Sequence, residues 1–226
     1  MVRWLDPVAE ALDSEGPLLQ VFFRDDDAGW RDDRLRALLD CFEAHGLPVD
    51  VAAIPQALGP GMARELVARG VAVHQHGLAH ANHEPEGRKC EFGPSRSAAE
   101  QRRDIEAGRE LLRERLDGQV APIFTPPWNR CTRDTALCLA ELDFEVLSRE
   151  ARAEPLGVLR ELSVSLDFVR LEPDDLARRF ARAAPPVGVM FHHAEMDDAA
   201  MDRAAELLGL LAGHGRVVAR AMMALV

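Results

Sequence analysis

Three carboxylates in a row close an apolar run in F-F-R-D-D-D-A-G, where Asp25, Asp26 and Asp27 follow Phe22, Phe23 and Arg24. Neighbouring ionised carboxylates repel one another, and burying them is costly unless a cation, a proton or an arginine offsets the charge. A metal ion is such a cation. On its own the triplet reads equally well as a solvated acidic turn in front of a helix, because Asp is favoured in turns and at helix N-caps. A second stretch favours the metal. V-A-V-H-Q-H-G-L-A-H-A-N-H gathers His74, His76, His80 and His83, half of the chain's eight histidines. Alternation along a strand sets His74 and His76 on one side, and Gly77 permits the turn that returns His80 beside His76. Two imidazoles and one carboxylate suit zinc or another first-row divalent ion and leave positions open for water and substrate. Asp25 and Asp27 share a side by the same alternation, so the carboxylate can be either.

Residues this far apart act together only if the fold brings them to one place. Two further segments, F-T-P-P-W-N-R at 124–130 and V-M-F-H-H at 189–193, end apolar runs with the same polarity. Active sites of parallel α/β barrels collect at the carboxyl ends of their strands, so these segments are candidates to converge with the first two. Two prolines before Trp128 and Asn129 after it favour a rigid exposed loop whose ring lines a substrate groove, with a core aromatic as the alternative. Adjacent strand residues face opposite ways, so either His192 or His193 points inward.

The supporting elements follow from periodicity. Apolar runs at 19–24, 49–54, 71–76, 120–125, 144–148, 162–168 and 187–192, with a last one near Val217, predict strands. Leu35, Leu38, Leu39 and Phe42 mark a helix, residues 64–69 a shorter one, and 97–116 a long amphipathic one with Ile105, Leu112 and Leu116 inward. Met201, Ala204, Leu208 and Leu211 repeat that stripe near the C-terminus. The alternation predicts one α/β domain over 1–226, an irregular β/α barrel of about seven parallel strands resembling a TIM barrel. The irregular stretch 81–94 is long for a connection in a compact domain and is expected to cover the site.

Composition narrows the partners. At 226 residues, 47% hydrophobic and 29% charged, the chain is an ordinary globular sequence rather than a disordered one. Its 27 basic and 38 acidic residues leave a net charge of −11, with no basic block interleaved with aromatics, so nucleic acid is not expected as a partner. Asp6, Glu10, Asp13 and Glu15 interrupt the opening segment, which predicts a cytoplasmic chain, and no apolar stretch approaches the roughly 20 residues that span a bilayer. Cys41, Cys90, Cys131 and Cys138 form no C-x-x-C pair, and reduced thiols are expected, with a Cys90–Cys131 contact as the alternative.

Taken together these segments resemble the polysaccharide deacetylase superfamily, also called the NodB-homology or carbohydrate esterase family-four group, and within it a cytoplasmic bacterial branch. Its Asp-Asp motif is similar to Asp26-Asp27, its His-x-x-x-His motif to His76 and His80, its proline-rich motif to Thr125-Pro126-Pro127-Trp128, and its final hydrophobic-x-hydrophobic-His to 189–192. The resemblance implies Asp26 as catalytic base and His192 as general acid. It also implies Asp27, His76 and His80 as ligands of one divalent metal, zinc first, with nickel, cobalt and manganese as alternatives. Pro127, Trp128, Asn129, His74 and Arg24 are the expected substrate contacts. The family's arginine in the proline-rich motif is Thr125 here, with Arg24 or Arg130 as the stand-in that orients the base. Ser165-Leu166-Asp167 partly matches the fourth motif, which gives Asp167 as partner of the acid, with His193 as further support. The implied reaction removes an acyl group, above all acetyl, from an amide-linked N-acetyl sugar or related small molecule. Two other readings are an amidohydrolase acting on a small cyclic or linear C–N substrate, and a metal-binding pseudoenzyme. The absence of tyrosine and of an export signal argues against a cell-wall polymer.

Overall fold

Short apolar runs alternate with amphipathic stretches, and the chain folds into strands and helices in the same alternation. The computed structural model describes residues 4–226, apart from the side chains at 173, 177 and 181. In order come α1 (Asp6–Asp13), β1 (Leu19–Ala28), α2 (Asp32–Ala44), β2 (Asp50–Ala53), α3 (Pro60–Arg69), β3 (Ala72–His76), α4 (Ala98–Arg115) and β4 (Ile123–Thr125). There follow α5 (Arg133–Glu141), β5 (Val146–Leu147), β6 (Arg160–Glu161), β7 (Val164–Asp167), α6 (Pro173–Arg182), β8 (Val187–Phe191), α7 (Asp198–Gly213) and β9 (Val217–Ala219). The chain divides into two compact units, one of Met1–Asp25, Arg31–Val49 and Val164–Leu225, the other of Asp26–Trp30, Asp50–Ser163 and Val226.

In the first unit β9, β1, β8 and β7 lie side by side in parallel, with Val21 opposite Val187 and Asp25 opposite Phe191. Strands covered on both faces are apolar throughout rather than alternating, and every residue of β8 is buried. Phe23, Phe42 and Phe191 pack as a ring cluster, with edge-on contacts at 5.2 and 5.6 Å that favour aromatic pairs.

In the second unit β2, β3, β4, β5 and β6 are also parallel and in sequence order, and His76 at the end of β3 is level with Thr125 at the end of β4. Phe92, Ile105, Phe124, Leu139, Phe144 and Leu147 form its core. Helix α4 begins where Ser97 accepts from the Glu100 amide while Glu100 reaches back to Ser97, a reciprocal cap that satisfies two otherwise orphaned donors. The fold is thus a parallel α/β arrangement.

Three differences from the periodicity have physical reasons. Strand β1 continues through the three aspartates to Ala28, beyond the apolar run, because tertiary partners override the low strand preference of Asp. Helices α1, α5 and α6 were not expected: α1 buries only Val8 and Leu12, and α6 sets Leu176 and Phe180 among charged residues. Strand β6 has two residues, too few for any period to register. The four cysteines are free, and no helix among the described residues is long and apolar enough to cross a membrane.

Candidate metal centre

Asp27 ends the acidic triplet in a left-handed conformation, φ 73°, and its carbonyl accepts from the Trp30 amide at 3.1 Å to close a turn. His76 is the last residue of β3, and Gly77 at φ 60° lets the chain double back so that His80, at φ 55°, faces the same carboxylate. Asp27 Oδ1 lies 3.3 Å from Nε2 of His76 and 3.3 Å from Nε2 of His80. The three ligand-type atoms all fall within 4.8 Å of one another. Trp128 and Asn129 also sit at positive φ, 57° and 58°. Left-handed conformations of non-glycine residues cost about 1–3 kcal/mol each and gather where the surroundings over-determine them, as in ligand clamps.

Hydrogen bonds fix which nitrogen faces Asp27. Nδ1 of His76 is 2.9 Å from the Thr125 carbonyl, an oxygen that only accepts, so Nδ1 carries a proton and Nε2 of the neutral ring offers its lone pair. The hydroxyl of Thr125 is engaged as well, 2.9 Å from Nε2 of the buried His74. Thr125 therefore orients one candidate ligand through its backbone and holds a second histidine through its side chain.

Charge separates the two imidazoles. Burial pulls His76 down, but the Asp27 hydrogen bond and the charges of Asp26 and Asp27 outweigh it and hold the ring above its ordinary 6.5. Burial and then the neighbouring His76 bring His80 down to about 4. His80 is thus neutral, and ready to ligate, well below neutrality.

The residues fit a divalent ion. Zinc binds imidazole nitrogen and carboxylate oxygen at about 2.0–2.2 Å, and the edge of such a tetrahedron is about 3.3 Å, the separation Asp27 keeps from both rings. A His, His, carboxylate set leaves coordination positions for water and substrate.

A family model described as polysaccharide deacetylase matches residues 22–147, more than half of the chain. The chain belongs to the polysaccharide deacetylase family. No curated protein matches its sequence. Among solved structures, a putative polysaccharide deacetylase from Mycobacterium smegmatis is similar at 16% identity and TM-score 0.71, covering 93% of this chain and 90% of that one. A family 4 carbohydrate esterase from Streptomyces lividans in complex with acetate is similar at 16% identity and TM-score 0.60, covering 91% and 92%. A carbohydrate esterase family-four pseudoenzyme from Bacillus anthracis is similar at 16% identity and TM-score 0.64, covering 94% and 69%. At these identities the likeness is one of fold.

Asp27, His76 and His80, the residues expected as metal ligands, come together in one place, and Trp128 joins them with its ring 4.4 Å from that of His80. Pro127 is buried behind the turn, Asn129 is half-buried, and Nη1 of Arg130 donates to the Lys89 carbonyl at 2.9 Å. Asp26 is buried beside them, close enough for its charge to act on His76. In the first unit, Arg24 is completely buried with Nη2 2.9 Å from the Met190 sulfur, a placement in the interior rather than on a substrate surface. His192 Nδ1 stands 4.0 Å from Asp167 Oδ1, and His193 is buried against Asp25 at 2.7 Å.

The parts played by three residues escaped the sequence reading. Trp30 is 40% exposed and sets its ring edge-on to His80 at 4.8 Å, a second aromatic ring beside that imidazole. Thr125 acts largely through a carbonyl, which carries no side-chain signature. Glu91 sits in the irregular segment with no periodicity to mark it.

Proposed function

We propose that this deacetylase-family chain is a metal-dependent hydrolase that removes an acetyl group from an amide nitrogen of a saccharide or related small molecule. The observation that carries the reading is Asp27 at 3.3 Å from two imidazole nitrogens, one of them aimed by the Thr125 carbonyl. Asp27, His76 and His80 would hold a divalent ion, and the chemistry such an ion would supply is a bound water of lowered pKa and polarisation of the acyl oxygen.

The chain's own groups do the rest. Asp26, buried next to the ligands, accepts a proton at a carboxylate oxygen as water adds to the carbonyl carbon. His192 is the proposed donor to the leaving amine nitrogen, with its Nδ1 4.0 Å from Asp167 Oδ1. Trp30 and Trp128, each with its ring against that of His80, offer apolar ring faces against which the C–H face of a sugar packs. The products are an amine and acetate.

The test combines elemental analysis of the purified chain with acetate release from N-acetylglucosamine oligosaccharides. About one zinc or equivalent ion per chain is expected, lost in Asp27→Ala but kept in Asp26→Asn, which lowers turnover by about 10²–10⁴. Full metal content in Asp27→Ala removes the assignment of ligands. Bound metal without acetate release from any N-acetyl sugar removes the saccharide.

A further inference from the structure

We propose that Glu91 is a positioning residue of the metal centre: its buried carboxylate braces the turn from Gly77 to His80 and so sets the His80 imidazole against Asp27. The inference rests on the metal reading above and adds to it the device that holds one ligand in place.

The argument begins with the backbone groups of the turn, each of which needs a partner once it is buried. The Gly77 carbonyl accepts from Nε2 of Gln75 at 2.9 Å, and the Leu78 carbonyl accepts from the Gln56 amide at 3.0 Å. Two of the turn's amide donors go to one side chain. Ala79 N–H donates to Glu91 Oε1 at 2.8 Å, and Leu78 N–H points between the two oxygens at 3.4 and 3.3 Å. Glu91 is only 1% exposed, so these bonds offset a carboxylate desolvation that otherwise costs several kcal/mol.

Position 77 is shaped to admit that carboxylate. A Cβ there would come within 2.0 Å of Glu91 Oε2 and 2.6 Å of Pro127 Cγ, and φ is +60°. Glycine is therefore required twice over, for the backbone conformation and for the space the carboxylate fills. The turn it permits ends at His80 in a left-handed conformation, which persists only while the surroundings enforce it.

Glu91 is itself anchored. Next to it Phe92 is buried in the core of the second unit and bridges to Cys131. On the other side, Asn82 Oδ1 accepts from the amides of Glu84 and Cys90, at 3.2 and 2.9 Å, and Glu84 takes the amide and hydroxyl of Ser95. The segment 81–94 is thus packed by its own side chains in the manner of an Ω-loop, and what it delivers to the centre is a fixed carboxylate.

The experiment measures zinc affinity by competition with a chromophoric chelator, on the full chain and its Glu91→Asp, Glu91→Gln and Glu91→Ala variants, with Asp27→Ala as control. Circular dichroism and thermal unfolding of the metal-free chains accompany it. Shortening the side chain in Glu91→Asp keeps the charge but withdraws it from the amides. Glu91→Asp and Glu91→Ala are expected to bind zinc about 10–100-fold more weakly at unchanged circular dichroism, the usual effect of losing a partner that orients a ligand. Glu91→Gln retains one acceptor for the Ala79 amide and is expected within about fivefold of wild type. Should the alanine variant not fold, the contrast between aspartate and glutamine decides. Folded Glu91→Asp with wild-type zinc affinity overturns the proposal. If Asp27→Ala also keeps its zinc, the metal reading has failed instead. Hydrogen exchange of the metal-free chain then judges Glu91 alone, with Leu78 and Ala79 amides about tenfold less protected in Glu91→Asp expected and equal protection overturning it.

Discussion

Asp25 and Asp27 stand one residue apart on β1, and each faces imidazole nitrogen. Asp25 Oδ1 accepts the His193 backbone N–H at 3.1 Å while Oδ2 meets its ring Nδ1 at 2.7 Å, and both residues are fully buried. Asp27 faces two rings, each at 3.3 Å from a single oxygen. A charge-assisted bond closes to about 2.7–2.9 Å, as the first pair does, whereas the second arrangement holds its nitrogens farther off and aims two of them at one carboxylate. One is a finished contact between β1 and the end of β8. The other has the spacing of ligands around a cation, so the same residue types form a closed contact in one place and an arrangement suited to ligation in the other.

The largest expected effect separates the two aspartates directly. Asp25→Ala takes away a fully buried partner of His193, and removing one member of such a pair destabilises by about 3–5 kcal/mol. Zinc binding should survive in whatever fraction remains folded. Asp27→Ala should do the reverse, abolishing zinc binding while the metal-free chain loses about 1 kcal/mol, an ordinary single-substitution change. Urea unfolding of the metal-free chains together with zinc titration checks both. Loss of metal from a folded Asp25→Ala chain would erase the distinction.

Next in size is a dependence on pH that the two rings of the Asp27 cluster should share unequally. Only deprotonated imidazole binds metal, so protons and zinc compete. His76 is held above 6.5, chiefly by Asp27 and Asp26 against its burial, and carries a proton into the neutral range, which zinc must displace. His80, brought down to about 4 by burial and by His76, has no proton to lose there. Zinc affinity should therefore fall about tenfold per pH unit as pH drops from 6.5 towards 5, the release of one proton. Two ordinary imidazoles would give about a hundredfold per unit over the same range, and calorimetric titration in buffers of different ionisation heat distinguishes the two slopes.

How much of this was legible in the sequence depended on whether a side chain or a backbone did the work. His76 and His80 announced themselves as candidates because both sit on one strand end and its turn, where spacing alone brings them together. The choice between Asp25 and Asp27 was not available from strand alternation, because Asp27 at φ 73° has left the extended conformation on which alternation depends. The pair 192–193 was ambiguous for a related reason: β8 ends at Phe191, so neither histidine obeys the strand's parity, and His193 reaches Asp25 from the short helical turn that follows. Thr125 works through its carbonyl, a group every residue possesses. Glu91 works on the amides of residues distant in sequence, and only the folded loop brings them together. The parallel α/β class itself was readable because buried strands and amphipathic helices alternate over the length of the chain, whereas short helices such as α1 offer too few apolar positions to establish a period.

The smallest expected effect concerns the aromatic walls. Trp30 is 40% exposed, so little of the second unit's packing depends on it, and its contact with His80 is edge-on at 4.8 Å. Trp128 lies closer, at 4.4 Å, and is half-buried. If both rings serve the substrate, Trp30→Ala should raise KM for an N-acetyl oligosaccharide by about 3–10-fold, the worth of one aromatic contact of 0.5–1.5 kcal/mol. Its kcat and zinc affinity should stay near wild type, because neither the ligands nor Asp26 moves. A fall in zinc affinity with unchanged KM would reassign Trp30 to the support of His80. It would then belong with Thr125 and Glu91 among the residues that build the open half of the Asp25 and Asp27 pair.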